Sequence, residues 1–139
     1  MTASTWIRAS VPRGERIARW SILDGHAMRE VRALVAAEAP GADDPSLKTS
    51  SARRLELVFS ELVSNALRHA GAPVHVTLFR GRGDCWLLDV ADASPVPPAP
   101  RDAGRYEQGG RGLKIIATLS GRRGWTVENG VKHVWAEVA

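Results

Sequence analysis

With 139 residues the chain is long enough to bury one hydrophobic core without disulfide or metal staples, and it is most simply a single domain. Its 44% hydrophobic and 24% charged residues suit a soluble globular protein, and no apolar run approaches the roughly 18 residues that a membrane span needs. The net charge of +4 raises nucleic acid as a partner, but the basic residues are scattered, with lysine only at Lys48, Lys114 and Lys132, so no direct nucleic-acid partner is expected.

Residues 1–15 contain Pro12 and Gly14 without sustained periodicity, and read as an arm or a first strand around Trp6–Val11. No apolar stretch in Met1–Trp20 has the form of a secretory signal, and Cys85 has no second cysteine to pair with. A cytoplasmic location is expected on both grounds. The remainder, 16–139, reads as one domain. Ile17–Leu23 is a short strand closed by Asp24–Gly25, and Asp24 can cap a helix whose apolar residues Ala27, Met28, Val31, Leu34 and Val35 recur at helical spacing. A loop at Gly41–Pro45 follows, with Ser46 or Thr49 as the next cap.

The second helix runs from about Leu47 to Ala70 and stops at Gly71. Its stripe of Ala52, Leu55, Phe59, Leu62 and Ala66 builds core, while Glu61 and Asn65, one turn apart, lie on the flank of that stripe. Val74–Phe79 and Cys85–Ala91 then form a hairpin about Gly81–Asp84, with Trp86, Leu88, Val90 and Asp92 on one face. Ala93–Gly110 is a long loop rich in proline and glycine, and a short helix from about Gly112 to Gly121 presents Leu113, Ile116, Ala117 and Ser120 on one face. Trp125–Val127 and Val131–Val138 close the chain as a hairpin about Asn129–Gly130.

Three segments carry chemistry. Glu61 and Asn65 at i and i+4 can share a hydrated metal: an amide oxygen is a hard neutral ligand suited to Mg²⁺, and a carboxylate can orient or deprotonate a hydroxyl. The alternative is a solvent-facing Glu beside a helix-flank Asn. Asp92, at a strand end, can accept from an exocyclic amine such as adenine's, or cap a turn. Gly109–Gly110–Arg111–Gly112 before a helix can offer backbone N–H groups to phosphates, or serve as a flexible linker.

In this order the segments resemble the ATP-binding domain of the GHKL superfamily, which takes in histidine kinases, DNA gyrase and MutL. Glu61-Leu62-Val63-Ser64-Asn65-Ala66-Leu67-Arg68-His69-Ala70 is similar to the N box of the small anti-sigma-factor serine/threonine kinases and their actinobacterial relatives. Asp92-Ala93-Ser94-Pro95 resembles the G1 box, and Gly110-Arg111-Gly112-Leu113 the G2 box. The likeness spans about Ile17 to Val138. It implies an α/β two-layer sandwich of the Bergerat type, a mixed β-sheet with helices on one face and a lid at 93–109. It further implies ATP and Mg²⁺ as cofactors, Asn65 as the magnesium ligand, Glu61 as general base, Asp92 as the reader of adenine, and Gly110, Arg111, Gly112 and Leu113 at the phosphates. His69 also matches the N box, and a capping or packing role is open to it. The partners implied are a sigma factor and an antagonist protein that is phosphorylated, with a homodimer left open.

One departure stands out: the G1 box of the wider superfamily continues in glycines, where this chain has Ala93, Ser94 and Pro95. This leaves a second reading, a non-catalytic ATP-responsive module that regulates a partner protein.

Overall fold

A computed structural model describes residues 6–39, 50–83, 85–94 and 121–139. They form, in chain order, β1 (Ile7–Arg8), β2 (Glu15–Ile22), α1 (Gly25–Ala37), α2 (Ser50–Ala70), β3 (Val74–Arg80), β4 (Trp86–Asp92), β5 (Arg123–Glu128) and β6 (Val131–Val138). The six strands make one sheet in the order β1-β5-β6-β4-β3-β2. All neighbouring pairs are antiparallel except β1 and β5, which run parallel, so the sheet is mixed as expected.

Local chemistry sets the element ends. Asp24 is the N-cap of α1, its Oδ1 accepting from the Ala27 N–H at 2.8 Å. Gly71 ends α2 in the left-handed conformation (φ +78°), where its N–H bonds the Leu67 carbonyl at 3.0 Å. Between β5 and β6, Asn129 (φ 53°) and Gly130 (φ 78°) supply the two positive-φ residues that a tight hairpin turn requires. The capping residues expected at Ser46 or Thr49 lie outside the described residues, as do the lid beyond Ser94 and the helix expected from Gly112 as far as residue 120.

The core lies between the helices and one face of the sheet. From α2 come Ala52, Leu55, Val58, Phe59, Leu62, Val63 and Ala66, so the expected stripe is buried throughout and is widened by two valines. Against it the sheet presents Val74, Val76 and Leu78 of β3, Trp86, Leu88 and Val90 of β4, and Val134, Ala136 and Val138 of β6. The period of two puts these residues on one face, and α2 packs over all three strands. Helix α1 packs on α2 and β2 and buries only Val31 and Val35 fully. Leu34, expected on that buried stripe, is 52% exposed. It sits about 100° round the helix from Val35, beyond the narrow seam that α1 shares with its two neighbours.

The other face of β4 is also buried. Leu87 is fully buried, and Asp89 and Ala91 nearly so. Next to this row Trp135 of β6 is buried and donates its indole N–H to the Ala9 carbonyl at 2.9 Å. Gly124, directly opposite Trp135 in the ladder, is where the indole fits: a Cβ there would stand 2.6 Å from the ring and 2.8 Å from the Ile7 carbonyl oxygen. Two polar side-chain pairs also lie on this face. His133 Nδ1 lies 2.9 Å and 3.1 Å from the two Asp89 oxygens, and Arg122 grips Glu137 with two nitrogens at 3.0 and 2.8 Å.

Candidate nucleotide site

The connection from α2 into β3 fixes which end of the sheet carries the site. Three residues separate Ala70, the last of α2, from Val74, the first of β3. His75 of β3 pairs with Ala91 of β4, so the end of β4 and the C-terminal part of α2 lie at the same end of the molecule. In β6, Lys132 stands directly opposite Asp92. The topology thus assembles Glu61 to His69 on a helix with Asp92 and Lys132 on the two central strands.

On the helix, burying Leu62, Val63 and Ala66 leaves Glu61 and Asn65 half-buried on the flank. Arg68, three residues beyond Asn65, donates from Nη2 to Asn65 Oδ1 at 3.3 Å. Burial pushes the Glu61 carboxyl above the usual carboxylate range, and the Arg68 charge opposes that rise only in part. Arg68 thus engages Asn65 by a hydrogen bond and Glu61 by its charge.

Asp92 is 4% exposed. Its Oδ1 accepts from the Ser94 N–H at 2.8 Å, which turns the chain out of β4. Its Oδ2 is buried with no hydrogen-bond partner among the described residues, and Lys132 Nζ stands off at 3.7 Å, close enough for an ion pair but too far for a hydrogen bond. Burial raises the Asp92 carboxyl, while the Ser94 N–H and the Lys132 ammonium counter it. The same burial lowers the Lys132 ammonium, with Asp92 counteracting. His69, at the end of α2, also acts electrostatically on Asp92 across the helix–strand boundary.

The topology therefore places His69 beside Asp92, with Asn65 and Glu61 one and two turns back along α2. Gly110, Arg111, Gly112 and Leu113 lie outside the described residues. Sequence reasoning passed over Lys132. Its signal lay in the alternation of the last strand, where Lys132 opens the face continued by the core residues Val134, Ala136 and Val138.

The donor set suits magnesium held with phosphates. Asn65 Oδ1 has two lone pairs, of which Arg68 engages one. Mg²⁺ keeps several waters and takes one or two protein oxygens beside the substrate's phosphates, in place of an all-protein cage. Among the described residues no three His, Cys, Asp or Glu side chains converge on one point. No helix among them is long and apolar enough to cross a membrane.

Comparison with known proteins gives the family. A chain in the crystal structure of the SiaB–SiaC complex from Pseudomonas aeruginosa superposes with a TM-score of 0.67 at 15% identity, over 91% of each chain, and so shares the fold. The Acinetobacter baumannii histidine kinase AdeS matches with a TM-score of 0.49 at 17% identity, over 89% of this chain and 68% of the other. A search of curated protein sequences returns no match. The family model described as the histidine kinase-like ATPase domain matches residues 23–137, from the residue before the α1 cap to the penultimate residue of β6, and the chain belongs to that family.

Proposed function

We propose that the protein is a cytoplasmic ATP-dependent serine/threonine protein kinase that phosphorylates an antagonist protein and binds a sigma factor as its alternative partner. One observation carries the nucleotide part of this reading: Asp92 is a buried carboxylate with one oxygen fixed by Ser94 and the other without a hydrogen bond among the described residues. An unmade buried acceptor costs about 1–3 kcal/mol, so a ligand amine that fills it gains both affinity and selectivity from one contact. The exocyclic amine of adenine has that chemistry.

The rest of the mechanism is positioning. Asn65 would hold Mg²⁺ through the lone pair of Oδ1 that Arg68 does not engage, and the Arg68 hydrogen bond favours that amide orientation. Magnesium, when bound, neutralises charge on the phosphates during transfer. Glu61, with its carboxyl raised by burial, is the better suited to take the proton of an attacking seryl or threonyl hydroxyl near neutral pH. We assign Gly110, Arg111, Gly112 and Leu113 to the phosphates on the sequence alone. The similar fold comes from a structure of two proteins in complex, which supports a protein as the acceptor.

The test is incubation with labelled ATP and a co-encoded antagonist. Transfer to the antagonist that is lost in Glu61→Gln, with ATP still bound, is the expected result. ATP binding without transfer in the wild type would leave the non-catalytic ATP-responsive module as the function.

A further inference from the structure

We propose that Lys132 is the positioning residue that keeps the Asp92 carboxylate ionised, so that the base of a bound nucleotide always meets an acceptor. The inference rests on the nucleotide reading of this site.

The sheet itself has no use for a lysine here. Lys132 is 4% exposed and shares its face with Val134, Ala136 and Val138, where another β-branched apolar residue would extend the core. Burying an ammonium is costly unless a charge answers it. The ladder register answers it, because Asp92 is the residue directly across on β4.

The separation is the informative part. At 3.7 Å the ammonium compensates the carboxylate's charge without occupying Oδ2 with a hydrogen bond. Arg122 does the opposite to Glu137, filling both carboxylate oxygens at 3.0 and 2.8 Å. Lys132 thus leaves one oxygen available as an acceptor while the Ser94 N–H orients the other. Without the ammonium, a carboxylate this deeply buried takes up a proton. Protonation removes the charge that strengthens the hydrogen bond, and a proton on Oδ2 turns a donor toward the exocyclic amine.

Other charges also reach Asp92. Among the described residues these are His69 from the end of α2 and His133 from the opposite face of β6. Positive charge on either favours the ionised carboxylate and so works against the effect predicted for a Lys132 variant. A variant that also lacks the Asp92 carboxylate shows how much of any pH dependence arises elsewhere than at that group.

The experiment titrates ATP with Mg²⁺ into the intact protein at about pH 8 and about pH 6, for wild type and Lys132→Met. The expected result is an affinity at least about tenfold below wild type at the higher pH, the scale of one charged hydrogen bond. The deficit widens by about a further tenfold at the lower pH as Asp92 protonates. The double variant Lys132→Met with Asp92→Asn removes both charges, and its deficit stays constant with pH. A Lys132 that merely packs cannot produce the widening. If Lys132→Met fails to fold, Lys132→Gln, whose amide can donate to Asp92, is read in the same way. Wild-type affinity in the single Lys132 variant, or a deficit in it that does not change with pH, overturns the role of Lys132 and leaves the nucleotide site standing. Failure of the wild type to bind ATP at either pH overturns both.

Discussion

Two carboxylates on the same strand, Asp89 and Asp92, meet cationic residues from the same neighbour, β6, and end in opposite conditions. Asp89 points to the face away from the helices, where His133 Nδ1 approaches both of its oxygens at 2.9 and 3.1 Å. Asp92 points to the helix face, where Lys132 remains at 3.7 Å and one oxygen has no hydrogen bond among the described residues. A closed pair is what a structural role requires, since every buried lone pair left unmade weakens the fold. An open pair weakens the apo protein and becomes favourable when a ligand completes it. The two faces of one strand therefore separate stability from binding, and substitutions on them should divide the same way.

The largest effect belongs to chemistry on the helix side. Glu61→Gln keeps the shape of the side chain and removes its basicity, so phosphoryl transfer should fall by about 10²–10⁴-fold with ATP affinity nearly unchanged, as measured by labelled transfer beside a binding titration. On the other face, Gly124→Ala drives a methyl to within 2.6 Å of the Trp135 ring and should destabilise the protein by about 2 kcal/mol in a denaturant titration, without altering nucleotide affinity. Asn65→Ala should weaken ATP binding about tenfold when Mg²⁺ is present and much less when it is chelated, a difference that calorimetry can read.

The smallest effect is pH-dependent. Asp89, through its hydrogen bond, raises the His133 imidazole above its ordinary value of 6.5. A folded-state value above the unfolded one means stabilisation that is complete below about pH 6.5 and fades as pH rises through the elevated value. The melting temperature of His133→Gln should therefore lie about 3 °C below wild type near pH 6, with the gap closing in alkaline solution.

Much of the scaffold was legible because it obeys local periods. The α2 stripe from Ala52 to Ala66, the Asp24 cap, the Gly71 stop and the Asn129–Gly130 turn each follow from a few adjacent residues, and each is present. Leu34 shows where periodicity runs out: spacing says which residues share a helix face but not how wide a seam the neighbours will cover. The strand-end position of Asp92 was legible too, but not the state of its carboxylate. That state depends on Lys132, and the Asp89 pair depends on His133, 44 residues away in the chain. Only the register between β4 and β6 makes these partners, and register is a property of the assembled sheet.

The claim that the open carboxylate is a binding group and the closed one a structural group is tested most directly by two matched substitutions, Asp92→Asn and Asp89→Asn, each titrated with ATP and Mg²⁺ and each melted. Asp92→Asn should lower ATP affinity by about tenfold or more, whereas Asp89→Asn should lower the melting temperature and leave affinity within about twofold of wild type. Equal loss of affinity in both variants, or none in Asp92→Asn, would contradict it.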